Sequence, residues 1–228
     1  MKKVLFGIFA HPDDEAFGPC GTLIKEVSEG TELHLITLTS GEAGQNPDNV
    51  PDLGAVRDSE WRKSCKLIGT TSEHNLKLRD GRLNNIVMQY ASEKVSDIVS
   101  QALISQDAIA DAEFITFEPN GLTGHIDHIV AARLASFVFY RLKSSGVPLS
   151  KIRYYCNSEE LAPMHNTDWI YSEKGHPDHE IDQTIDCRDF REAIITVMKI
   201  HKTQRADCEY YMSRQGDRIG VDHFIVRT

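Results

Sequence analysis

A seven-residue apolar run, Val4-Leu5-Phe6-Gly7-Ile8-Phe9-Ala10, passes without a linker into His11-Pro12-Asp13-Asp14-Glu15. This junction constrains the fold more than any other stretch of the chain. Continuous apolar content of that length fits a strand covered on both faces of a sheet. Open α/β sheets gather their chemistry at strand C-terminal ends, where the histidine and the acids stand. Pro12 stiffens the turn, so His11 and Asp14, three apart, can point at a common centre. Acids crowded at the mouth of a hydrophobic strand repel one another, and a cation there would offset their charge.

Strands and helices alternate along the rest of the chain. Phe17–Glu29 carries Leu23, Ile24 and Val27 at helical spacing and stops at Gly30. Leu33–Thr39 reads as a second strand, and a polar, glycine-bearing loop over residues 40–47 leaves its end. Leu53–Ile68 is a helix closed by Gly69, and Asn75–Arg79 is a short third strand ending at Asp80-Gly81. Ile86–Ile104 is a long helix, Phe114–Phe117 a fourth strand, and residues 118–124 a second polar loop that opens a helix running to about Leu142. Lys151–Cys156 reads as a fifth strand and Asn157–Asp178 as a loop or partial lid. Ile181–Cys187 reads as a strand, Arg188–His201 as a helix and His223–Val226 as a final strand. The pattern predicts an α/β fold: a Rossmann-like, doubly wound, mostly parallel sheet flanked by helices, in a single domain over residues 1–228.

Charge and composition narrow the function classes. Acids outnumber bases 34 to 25, for a net charge of −9, which disfavours a grip on the phosphate backbone of nucleic acid. The five cysteines are scattered, odd in number and without a Cys-x-x-Cys pair, as expected of reduced thiols in a cytoplasmic protein. Met1-Lys2-Lys3 before the first apolar run imitates a signal peptide, but the run leads into His-Pro-Asp-Asp-Glu with no small-residue cleavage site. No apolar window approaches the roughly 20 residues of a membrane-spanning helix, so no membrane insertion is expected. A dinucleotide site would need Gly-x-Gly-x-x-Gly after the first strand; only Gly18 and Gly21 stand nearby, and acids at that helix entrance would repel a pyrophosphate.

The second polar cluster supplies the complement to the first. His125 and His128 are three apart at a helix start, which puts both on one face. They look toward the mouth of the first strand if strands one and four are neighbours. Two histidines and one carboxylate, with a position left for water, form a recurring catalytic zinc arrangement. A metal so held brings the pKa of its water to about 7 and polarises a carbonyl, which points to hydrolysis. Gly175-His176-Pro177-Asp178-His179 spells a similar pattern but lacks the preceding buried strand. His34, His74, His165 and His223 read as packing or surface residues. His201 reads either as a helix C-terminal cap or as a site residue, and Arg57 by default as a partner of Asp58 or Glu60.

Ala10-His11-Pro12-Asp13-Asp14-Glu15 and His125-Ile126-Asp127-His128 together resemble the LmbE-like or PIG-L-like de-N-acetylases, zinc enzymes that remove acetyl groups from N-acetylglucosamine-type sugars. Leu38-Thr39-Ser40-Gly41-Glu42, Arg57-Asp58-Ser59-Glu60 and His201-Lys202-Thr203-Gln204 extend the resemblance over nearly the whole chain. It implies that His11, Asp14 and His128 ligate the metal and that Asp13 is the general base. It further implies that His125 steadies the oxyanion and helps protonate the departing amine, and that Arg57 reaches substrate hydroxyls. The implied metal is Zn2+, with Fe2+ accepted by the same ligand types. The implied partner is a small N-acetylated sugar or conjugate, and the family leaves room for a homo-oligomer. A metal-dependent amidase acting on a small non-sugar amide and a catalytically silent sugar-binding protein of the same fold remain the alternatives. The glycines that usually follow the first motif stand here as Gly18-Pro19-Cys20-Gly21, which leaves the start of the first helix open.

Overall fold

Strands from both ends of the chain join one sheet. The computed structural model describes residues 2–104, 109–162 and 174–228. Among these, β1 (Lys2–Phe9), β2 (Glu32–Thr39), β3 (Ser72–Leu78), β4 (Ile109–Phe117), β5 (Leu149–Cys156), β6 (Gln183–Asp186) and β7 (Val221–Arg227) form a seven-stranded sheet in the order β3-β2-β1-β4-β5-β7-β6. The pairs from β3 through β5 are parallel, whereas β7 runs antiparallel to both β5 and β6. The expected α/β, mostly parallel sheet is therefore present.

The winding makes β1 the centre. From β1 the chain moves outward to β2 and β3, then returns to β4 on the opposite side of β1. Strand order thus reverses between β1 and β4, the place where open α/β sheets leave a crevice beyond their C-terminal ends. The alternation of side chains along β1 feeds two cores. Val4, Phe6 and Ile8 pack with residues of α4 (Asn85–Ile104) and α5 (Ile126–Ser144), while Leu5 and Phe9 pack with α2 (Cys20–Ser28), α3 (Leu53–Ile68) and α6 (Arg191–Ile200). Gly7 lies between them because a Cβ there would come within 2.5 Å of the Leu35 side chain.

Several elements differ from the sequence-based expectation. The first helix is split into α1 (Asp14–Phe17) and α2 by Gly18 and Pro19. A Cβ at Gly18 would lie 2.6 Å from the Asp14 carbonyl oxygen and 2.8 Å from the Phe117 ring, and Pro19 has no N–H to continue a helix. The helix expected over Arg188–His201 begins as a 3-10 turn at Arg188–Phe190 and becomes α6 only at Arg191. An additional helix, α7 (Arg205–Gln215), follows; only Cys208 and Gln215 of it are buried, so it has little apolar periodicity to announce it. Of the lid expected over residues 157–178, residues 163–173 lie outside the described residues. No helix of the described residues is long and apolar enough to cross a membrane.

Candidate active site

Four strand ends deliver the site. His11 follows β1, Gly41 follows β2, Asp80 follows β3, and the loop from Glu118 to His125 follows β4. The first two ends are tied together: Thr39 donates from its backbone N–H and its hydroxyl to the Ala10 carbonyl, at 2.9 Å each.

His11, Asp14 and His128 meet. His11 Nδ1 lies 3.0 Å from His128 Nε2, His128 Nε2 lies 3.2 Å from Asp14 Oδ1, and His11 Nδ1 lies 3.8 Å from Asp14 Oδ2. Each group is aimed from behind. Asp14 Oδ2 accepts from the backbone N–H groups of Ala10 and His11 at 3.0 and 2.9 Å. His128 Nδ1 faces the Gly121 carbonyl at 3.0 Å, which places a proton on Nδ1 and leaves Nε2 as an electron-pair donor. The φ of +79° at Gly121 and the closeness of His128 to its Cα, where a Cβ would sit 2.8 Å from His128 Cβ, require glycine at that turn. His11 turns its other nitrogen, Nε2, to Asp80 Oδ1 at 3.0 Å and Asp127 Oδ2 at 3.6 Å.

Two overlapping groups of residues at this place could hold a metal ion. Ring nitrogens of His11, His125 and His128 lie within 4.8 Å of one another, as do ligand atoms of His11, Asp80 and Asp127. The electrostatics call for positive charge at the same place. Burial works against a charged His11, yet Asp127, Asp80 and Asp14 hold its pKa up at about 10. Burial likewise opposes charge on Asp14 and Asp80. Contact with the His128 and His11 rings nevertheless keeps Asp14 well below the usual carboxylate range, and the hydrogen bond from His11 holds Asp80 at about 2. An imidazole whose far nitrogen is held by a carboxylate is the common support of a metal-ligating histidine.

Asp13 and His125 flank the cluster. Burial raises the Asp13 carboxyl to about 6 against the pull of Arg57, whose guanidinium donates to Asp13 Oδ2 at 2.9 Å, to the Pro12 carbonyl at 3.0 Å and to the Gly41 carbonyl at 2.9 Å. His125 is the N-cap of α5, and its Nδ1 accepts from the Asp127 N–H at 3.1 Å. Burial, then the neighbouring His128 and His11, lower its pKa to about 4, so the imidazole is neutral with its proton on Nε2. Its ring centre lies 4.9 Å from that of His11 and 5.1 Å from that of His128.

The structure therefore brings together all six residues singled out from the sequence. Glu60, the default partner of Arg57, instead accepts from the Thr203 hydroxyl at 2.6 Å. His201 is 1% exposed and faces Glu15. His176 pairs with Glu180 at 3.2 Å, and among the described residues neither it nor His179 enters a group able to hold a metal. Asp80 and Asp127 escaped the sequence reading. Asp80 sits at a strand end like Asp14, a position that could have flagged it; Asp127 lies inside the His-x-Asp-His motif and accepts from the backbone N–H groups of Gly81 and Leu83 at 2.7 and 3.2 Å.

A crevice at the sheet's switch point, lined by a His/Asp cluster able to hold a metal, with a carboxylate and a neutral imidazole beside it, has the arrangement of a metal-assisted α/β enzyme. The chain belongs to the PIG-L family, GlcNAc-PI de-N-acetylase, whose sequence profile matches residues 6–139. A relative, the 1D-myo-inositol 2-acetamido-2-deoxy-alpha-D-glucopyranoside deacetylase of Acidothermus cellulolyticus, is 27% identical over 99% of this chain and 89% of its own length. Among solved structures, the N,N'-diacetylchitobiose deacetylase from Pyrococcus horikoshii aligns over 99% of this chain and 83% of its own, with TM-score 0.68 and 20% identity. GalB, the 4-carboxy-2-hydroxymuconate hydratase from Pseudomonas putida KT2440, aligns over 100% and 97% with TM-score 0.68 and 12% identity. The fold thus also serves a hydratase.

Proposed function

We propose that the protein removes the acetyl group from an N-acetylglucosamine-type sugar or its conjugate, releasing acetate and a free amine. Family membership supports the reaction class, and the relatives' substrates support the sugar. The observation that carries the reading is the convergence of His11, Asp14 and His128 within 4 Å, with the Asp13 carboxylate, held by Arg57, near enough to feel the charges of Asp14 and His11. Because a hydratase shares the fold, the fold alone does not choose the reaction; family membership and the deacetylase relatives support deacetylation.

In this reading His11, Asp14 and His128 would hold one Zn2+, or Fe2+, to which the same ligand types are open. The ion when bound supplies Lewis acidity, bringing the pKa of water to about 7 and polarising the acetamide carbonyl. Asp13 accepts the proton of the attacking water. Its carboxyl, pushed up to about 6 by burial and restrained by Arg57, is basic enough to accept a proton and still ionised at neutral pH. His125, neutral with Nε2 protonated, donates to the oxygen that gains charge as the carbonyl becomes tetrahedral. Asp13 then returns its proton to the nitrogen as the C–N bond breaks, and His125 assists that step.

Arg57 serves from the edge of the same pocket. It holds Asp13 and the Pro12 and Gly41 carbonyls, and a sugar hydroxyl exchanging for one of those carbonyls would complete its contact with substrate. All five cysteines are buried thiols, which supports a reducing compartment and hence the cytoplasm. The direct test is acetate release by metal-loaded protein over a panel of N-acetylglucosamine conjugates and simple non-sugar acetamides. Turnover confined to the sugars is the expected outcome. Turnover confined to the simple amides, or none at all, would overturn the reading.

A further inference from the structure

We propose that Glu15 is a positioning residue: it holds the backbone of Asp13 in the left-handed turn that aims the Asp13 carboxylate, and Ser64 and His201 hold Glu15 in turn. The inference rests on the reading of Asp13 as the base. Asp13 has φ +124° and ψ −20°, a conformation that side chains avoid and glycine accepts. Strained backbone persists only where its surroundings over-determine it, and it gathers at functional sites.

The surroundings here pin Asp13 on both sides. Its carbonyl accepts from the N–H groups of Ala16 and Phe17 at 2.8 and 2.9 Å, which any turn into α1 would provide. Its N–H donates to Glu15 Oε2 at 3.2 Å, and this bond needs a carboxylate that curls back two residues. Such a carboxylate stays put only if its other oxygen is anchored. Glu15 is 1% exposed, and its Oε1 accepts from the Ser64 hydroxyl of α3 at 2.6 Å. His201, just past the end of α6, places Nε2 3.3 Å from the same oxygen, an ion-pair distance that adds charge complementarity from a third element.

An acid buried this deeply is costly, and an apolar side chain would fill the space more favourably. Nothing in the pocket requires Glu15 as a ligand, since Asp14 already faces the histidines. What Glu15 alone supplies is an acceptor for the Asp13 amide. Without it, Asp13 relaxes toward negative φ and its carboxylate swings away from the water it must deprotonate.

E15L tests this, because leucine fills the space but offers no acceptor to the Asp13 N–H, whereas a glutamine could keep its oxygen on that N–H and turn its NH2 to Ser64. The expected result is a fall in kcat for acetate release of about tenfold or more with KM and bound metal nearly unchanged, and exchange of the Asp13 amide hydrogen faster by about tenfold or more. S64A, which removes one anchor of Glu15, should move the same two readouts in the same direction by a smaller factor, and it decides the matter if E15L does not fold. Wild-type kcat together with unchanged exchange at Asp13 would overturn the proposal. Absence of acetate release by the wild-type protein would instead overturn the proposed function, and exchange at Asp13 would still judge the role of Glu15.

Discussion

His11 Nδ1 and His128 Nε2 lie 3.0 Å apart although 117 positions separate the two residues. The fold achieves this by laying β4 directly against β1, so that the loops leaving both strands open on one crevice. Removing either imidazole should abolish stoichiometric metal while leaving the core intact. We expect H11A and H128A to purify without bound metal after loading and dialysis, and H179A to retain it, as read by elemental analysis. Metal kept in H128A and lost in H179A would shift the site to the 176–179 turn.

The carboxylates behind His11 make a separate prediction. Asp80 reaches His11 Nε2 at 3.0 Å and is itself fixed by the Ala43 N–H at 2.9 Å, while Asp127 stands 3.6 Å from the same nitrogen. Loss of such support typically weakens metal affinity by about 10–100-fold. D80N and D127N should each fall in that range in a competition assay against a chelator of known affinity. Affinities equal to wild type would mean that His11 needs no orienting partner.

Away from the site, Asp222 gives the fold a pH dependence. It is 3% exposed on β7, and burial raises its carboxyl to about 6 even though Thr22 donates to it from both N–H and hydroxyl at 2.7 Å. A folded-state pKa above the unfolded one means that the native state binds the proton more tightly, so stability is lost as pH rises. Between about pH 5 and about pH 7.5 the wild type should lose on the order of 1–2 kcal/mol of unfolding free energy relative to D222N. Urea titrations of both proteins at the two pH values measure it; parallel behaviour would place the Asp222 pKa near its ordinary value.

How much of this was legible in the sequence depends on how local the signal was. The Val4–Ala10 run and the acids after it lie contiguously, and that run alone placed His11 and Asp14 at the C-terminal end of a buried strand. The His125/His128 pair was legible through helical spacing. Asp80 was not, because a lone acid after a short strand looks like any turn residue, and only the β2–β3 pairing brings it over His11. Glu15 was visible as an acid but not as a clamp, since its partners Ser64 and His201 come from α3 and the end of α6. The break at Gly18 was signalled in part by Pro19, while the close approach of the Phe117 ring of β4 is a long-range contact that the sequence does not carry. The antiparallel turn of β7 and β6 was beyond periodicity, which carries no strand direction.

The central claim is that Asp13 moves the proton while its neighbours hold the metal, and D13N separates the two. Metal content and acetate release measured on the same D13N sample test it most directly. The account predicts wild-type metal stoichiometry with turnover reduced by about 10²–10⁴-fold. Full turnover with metal retained would contradict it.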